Sequence, residues 1–153
     1  MKQIIITTMC ALINNKNEVL FIDRQKEWKG LALPGGHIED NESIVECVRR
    51  EIYEETGFVV SNLLFKGITH FFNIEIDERY MVFNFTSYDF HGDFKKYCPE
   101  GNLQWIPKNQ FDRFDFAEGM EQRFDLFFSE GVTEMYVEWN QQEGYKRVES
   151  IKI

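Results

Sequence analysis

The stretch GHIEDNESIVECVRREIYEETGF, Gly36 to Phe58, decides how this chain is read. Ser43 followed by Glu46 is a capping box, in which a hydroxyl and a carboxylate satisfy orphan backbone donors at a helix start. Gly57 supplies the left-handed residue that commonly ends a helix. Between them the spacing predicts a helix of roughly four turns. Stepping about 100° per residue places Ile44, Val45, Val48 and Ile52 on one apolar stripe. Glu51 and Glu55 border that stripe and Glu54 lies just beyond it, so three carboxylates converge beside the core-facing side of the helix.

Like charges at this spacing oppose one another and call for an opposite charge. Arg50 reaches Glu54 at i+4, but one guanidinium does not neutralise Glu42, Glu51, Glu54 and Glu55. The excess suits a hard divalent cation, because magnesium takes oxygen ligands and works with substrate phosphates. A merely solvated acidic helix face is the alternative. The glutamates border the apolar stripe, and Pro34-Gly35-Gly36 enters from the adjacent loop, which favours a site.

The same stretch fills every fixed position of G-x5-E-x7-R-E-U-x-E-E-x-G-U, where U is a bulky apolar residue: Gly36, Glu42, Arg50, Glu51, Ile52, Glu54, Glu55, Gly57 and Phe58. In this the chain resembles the Nudix hydrolases. The resemblance implies an α/β fold, a mixed β-sheet sandwiched between α-helices, with this box as a loop–helix–loop. It implies magnesium, or manganese, held by Glu51, Glu54 and Glu55 with the carbonyl of Gly35, and water attack on a phosphorus of a nucleoside-linked diphosphate. Arg50 would orient a glutamate, Glu42 would join the metal site or brace the loop, and Gly36 and Gly57 would shape the box.

The approach WKGLALPGGHIE, from Trp28, resembles the MutT-like branch, which acts on nucleoside triphosphates. That branch implies release of the nucleoside monophosphate and pyrophosphate, oxidised purines such as 8-oxo-dGTP as preferred substrates, and Arg24 and Trp28 as substrate contacts. Several relatives carry a general base close before a strand Trp. Here Gln104 precedes Trp105 and cannot serve, which leaves Glu100 and Glu51 as the two candidates. Alternatives within the family are a nucleotide sugar, ADP-ribose or a dinucleoside polyphosphate. Against ADP-ribose, no proline lies between Val59 and Tyr97, where the typical hydrolases of that compound carry one. A regulatory Nudix module without catalysis is the alternative from another class, but the box keeps all its glutamates.

Composition bounds these readings. The 153 residues are the size of one domain, 1–153, able to bury a full core. A net charge of -9 argues against a nucleic-acid polymer as partner, since such binders need a basic face. A small nucleotide is compatible with it, because a bound cation reverses the local field. Cys10, Cys47 and Cys98 have no CxxC spacing and read as free thiols of a reducing cytoplasm. His37, His70 and His91 form no zinc pattern, and His37 reads as a loop residue. The apolar run Ile4 to Ile13 is too short to span a membrane and lacks a cleavage site. Monomer and homodimer are both compatible with the sequence.

The remaining expectations concern elements. Ile4 to Ile13 reads as a strand turning into a second one, Glu18 to Asp23. Further strands are expected at Leu31 to Leu33, Leu64 to Phe71, Tyr80 to Tyr88 and Leu103 to Ile106. A second long helix is expected over Phe116 to Phe128, and a closing hairpin from Val132 to Trp139 and Tyr145 to Ile153. Phe71, Phe72, Asn73, Phe83 and Asn84 read as core before base contacts.

Overall fold

A computed structural model describes residues 2–153. Strands β1 (Gln3–Leu12), β2 (Glu18–Arg24), β3 (Gly30–Ala32) and β4 (Gly35–His37) lead into helix α1 (Ile44–Thr56). A long hairpin follows, β5 (Phe58–Asn73) and β6 (Glu78–Gly92), then β7 (Tyr97–Cys98) and β8 (Gly101–Pro107). After two 3-10 turns come α2 (Phe124–Phe128) and a hairpin of β9 (Val132–Asn140) and β10 (Gly144–Lys152). One sheet runs β10-β9-β5-β6-β1-β4 and the other β3-β2-β8-β7. Parallel β1–β6 and β5–β9 pairs among antiparallel ones make the larger sheet mixed, as an α/β fold of this kind requires.

Successive strand side chains point to opposite faces, and β1 and β2 use both. Cys10, Leu12, Leu20 and Ile22 face one core, where Val48 and Ile52 of α1 close it. Ala11, Ile13, Val19 and Phe21 face the other, closed by Met120 and Phe127 from the C-terminal segment. Phe21 there meets Phe111, Phe116 and Phe124 at ring separations of 5.6, 5.0 and 6.2 Å. Much of the high aromatic content is therefore core.

α1 starts and stops as its sequence dictates. Glu46 N–H donates to Ser43 Oγ at 3.2 Å, and Ser43 N–H donates to Glu46 Oε2 at 2.7 Å. Gly57 ends the helix at φ 83°, and a Cβ there would strike the Asp93 carbonyl. Ser43→Ala should cost about 1 kcal/mol of stability, read as a lower urea midpoint with an unchanged m-value. An unchanged midpoint would mean that packing alone holds this helix end.

Several expectations are corrected. Val45 is exposed, and Cys47 occupies the buried position on the α1 stripe in its place. β1 turns into β2 as expected, but the two strands belong to different sheets and pair only at the Ile13–Val19 bridge. No long helix spans Phe116 to Phe128. Ala117 N–H instead donates to Leu31 O at 2.9 Å, Phe116 bridges to Leu31, and Gly119 turns at φ 81°. With its backbone committed to β3 and broken at Gly119, this segment forms only a 3-10 turn and the short α2. Gly35 to His37 is a strand and not a loop, so His37 lies on β4, with its Nε2 3.3 Å from Tyr80 Oη. No helix among the described residues is long and apolar enough to cross a membrane.

Candidate active site

The box glycines bring α1 against the sheet. Cys10 N–H donates to Pro34 O, and Ile38 N–H donates to Ile6 O, on either side of the Met9–Gly35 pair. In an antiparallel ladder that phase turns both polar groups of Gly35 away from β1. The Gly35 N–H is accordingly found on Glu55 Oε1, at 3.0 Å. A Cβ on Gly36 would collide with the Glu51 carboxylate, so only glycine lets Glu51 approach this backbone.

Arg50 is the cation that the neighbouring carboxylates share. Its Nη2 and Nε donate to Glu42 at 2.7 and 3.0 Å, and its Nη1 donates to Glu51 at 2.8 Å and Glu54 at 3.3 Å. Its Nη2 also donates to the His37 carbonyl at 3.1 Å. The bidentate pair fixes Glu42 as a brace of the box loop, and Glu42 also accepts from Glu39 N–H at 2.8 Å. The hydrogen bonds from Arg50 hold the Glu42 carboxyl down at about 2. Glu51 is largely buried against Arg50, whereas the Glu54 side chain is 56% exposed.

Glu55 stands apart from this network. It is 6% exposed, and Arg50 makes no ion pair with it. Its Oε2 is the one buried side-chain polar atom without a hydrogen-bond partner among the described residues. Burial pushes its carboxyl up to about 10, and Glu100 and Glu51 push in the same direction. Donor atoms of Glu55, Cys98 and Glu100 lie within 4.8 Å of one another, whereas Glu51 and Glu54 are drawn toward Arg50. The acid nearest Glu55 is therefore Glu100, from the β7–β8 turn. The sequence offers Glu100 only as a base and Cys98 only as a free thiol.

This donor set fits a divalent cation. A buried carboxylate oxygen with no partner is costly; Glu55 binds the Gly35 N–H, Glu100 lies beside Glu55, and the Glu51 carboxylate abuts Gly36. A cation there would relieve the repulsion that burial imposes on Glu55.

A cleft of about 420 Å³ opens over β4. Gly35 and Glu100 line it, which joins it to the carboxylate cluster, and Arg24 and Trp28 line it as the sequence predicts. Trp28 is exposed and adopts φ 57°, a left-handed conformation uncommon for a bulky side chain. The inner cleft adds groups that sequence reasoning missed, among them Tyr80, Tyr145 and Arg123. The available signal for Arg123 was a lone cation inside the apolar repeat of Phe116 to Phe128. Phe71 also lines the cleft, while Asn84 is fully buried beneath it.

Comparison with known proteins agrees with this geometry. The NUDIX domain family model matches residues 4–127. The uncharacterized Nudix hydrolase YvcI of Bacillus subtilis is 30% identical over 115 residues, which cover 73% of this chain and 72% of that protein. The ADP-ribose pyrophosphatase of Methanocaldococcus jannaschii is 46% identical over 51 residues, 32% of this chain and 30% of that protein. The crystal structure of a MutT protein from Bacillus halodurans superposes with a TM-score of 0.79 at 26% identity, covering 95% of this chain and 96% of that one. A box without a missing residue, a fold shared over nearly its whole length and a family match across most of the sequence lead to one assignment: this chain belongs to the Nudix hydrolase family, on a MutT-like fold.

Proposed function

We propose that this protein hydrolyses a purine nucleoside triphosphate to the nucleoside monophosphate and pyrophosphate, with magnesium as its metal and manganese as a substitute. The observation that carries this reading is the partnerless buried oxygen of Glu55 beside the Gly35 turn, where the carboxylate cluster meets the cleft. Glu51, Glu54, Glu55 and the Gly35 carbonyl would hold the ion. The chemistry such an ion supplies is neutralisation of the polyphosphate and activation of water. Arg50 holds Glu51 and Glu42 in place, so the loop and the helix face keep one geometry. Water oxygen bonds to phosphorus, the bond to the departing pyrophosphate oxygen breaks, and Glu100 would accept the water proton. Trp28 and Arg24 flank the entrance as contacts for the nucleotide.

A second reading, ADP-ribose hydrolysis, has support from the local match to the archaeal ADP-ribose pyrophosphatase. One assay separates them. Purified protein is given GTP, dGTP, 8-oxo-dGTP, ATP and ADP-ribose, with magnesium or with chelator, and products are resolved by chromatography. Pyrophosphate from triphosphates, abolished by chelator and restored by magnesium, is the expected result. AMP from ADP-ribose with little action on triphosphates would replace the substrate assignment, and turnover in chelator would remove the metal.

A further inference from the structure

Arg123 is 8% exposed and forms part of the inner wall of the cleft. Its Nε donates to Thr69 Oγ1 at 3.2 Å and its Nη2 to Asn84 Oδ1 at 3.0 Å. Both acceptors are neutral. No ion pair forms at Arg123 among the described residues, although Glu27 and Glu118 line the same cleft. A guanidinium carries five N–H donors, and Nη1 makes no hydrogen bond among the described residues. A buried cation facing a cavity with unused donors and no counter-charge is costly to the fold on its own. That cost is offset when a ligand supplies the missing acceptors.

The strand register places this group relative to the box. Gly35 pairs with Met9, Met9 with Asn84, and Asn84 with Gly67, in one row across the sheet. Asn84 thus sits two strand spacings from Gly35, roughly 10 Å. Arg123, bonded to Asn84, is about a nucleoside's length from the turn where the diphosphate is to be held. There it would meet the group that the diphosphate carries. Phe71, whose ring centroid is 5.8 Å from Arg123 Cζ, and Trp139 add aromatic surface to the same cleft.

We propose that Arg123 reads the O6 and N7 acceptors of a 6-oxopurine and so sets the base preference of this hydrolase. A planar fork of donors matches two adjacent acceptors, the pairing by which arginine reads guanine elsewhere. Adenine presents an amino donor at position 6 and opposes the fork. 8-Oxoguanine carries an N–H at position 7 and keeps only O6 of the adjacent O6/N7 acceptor pair, so plain dGTP is favoured over 8-oxo-dGTP. This reverses the preference expected from sequence. The inference rests on the nucleotide reading above, and the test separates the failure of one from the failure of the other.

The test compares kcat/KM for GTP, ITP, ATP, dGTP and 8-oxo-dGTP in the wild type, Arg123→Gln and Arg123→Lys. The wild type should prefer GTP and ITP over ATP by about tenfold or more. Arg123→Gln should lower kcat/KM for GTP and ITP by about tenfold more than for ATP, chiefly through KM. Arg123→Lys keeps the charge without the fork and should lose the preference too, which covers the case that the glutamine variant does not fold. Equal GTP and ATP rates in the wild type, equal losses on every nucleotide, or a preference for 8-oxo-dGTP over dGTP would overturn the assignment. If the wild type cleaves no triphosphate, the substrate reading fails by itself. Thermal shifts with GMP against AMP then decide: stabilisation by GMP that Arg123→Lys abolishes upholds Arg123 as the base reader, and none in the wild type overturns it.

Discussion

Glu55→Gln is expected to cut turnover by about a hundredfold or more, and to make the protein more stable in chelator. The two effects have one origin. Glu55 Oε2 is buried without a partner, next to Glu100 and with Glu51 nearby, and no cation reaches it from the protein. Glutamine keeps Oε1 on the Gly35 N–H and puts an amide donor where the orphaned oxygen was, without the proton uptake that burial imposes on the carboxyl above its ordinary range. It also deletes a charge that would hold the metal, and a hundredfold loss corresponds to about 2.7 kcal/mol of transition-state stabilisation. Thermal melts with chelator and with magnesium check the stability half. The wild type should gain stability from magnesium, and Glu55→Gln should gain little while starting higher. Glu54→Gln should also lose activity, but without the gain in chelator, because Glu54 is already half exposed and bonded to Arg50. Glu39→Gln is the control: its carboxylate is 3.6 Å from Arg50 and mostly exposed, and little should change. Comparable losses in all three would show that bulk acidity matters and the position of Glu55 does not.

What the sequence made legible was what short-range chemistry fixes. The capping box and Gly57 set both ends of α1 through bonds within a few residues. β1 and β2 were readable as strands because their inner runs, Cys10 to Leu12 and Val19 to Ile22, alternate between two buried faces. The segment Phe116 to Phe128 was misread because its apolar spacing imitates a helix, while a long-range bond from Ala117 to Leu31 decides its backbone. Arg50 was expected to engage Glu54, and the tighter Glu42 and Glu51 contacts depend on how the loop folds back over the helix. The same holds for Cys98 and Arg123, which reach the site or its cleft from distant segments. No spacing in the chain connects Arg123 with Thr69 and Asn84; the sheet register does.

For the general base the sequence leaves Glu100 and Glu51, and the fold gives the two carboxylates different surroundings. Glu51 accepts the Arg50 Nη1–H at 2.8 Å and is largely buried, so its Oε1 is already engaged by the guanidinium. Glu100 is exposed on its turn, lines the cleft and lies beside Glu55. Its backbone is held firmly: Glu100 O accepts from Gln25 N–H at 3.2 Å, and a Cβ on Gly101 would strike the Asp23 carbonyl. A carboxylate that is solvent-accessible, fixed by its backbone and beside Glu55 suits the role of taking a proton from water. Glu100→Gln should therefore lower kcat by about a hundredfold, within the usual range for a positioned base, with KM changed by less than about threefold. Metal affinity separates this role from ligation: as a base, Glu100 can be lost while the magnesium-induced rise in melting temperature stays as in the wild type. A smaller rise would make Glu100 a ligand beside Glu55. A rate near that of the wild type would return the role to Glu51, and Glu51→Gln would then carry the loss.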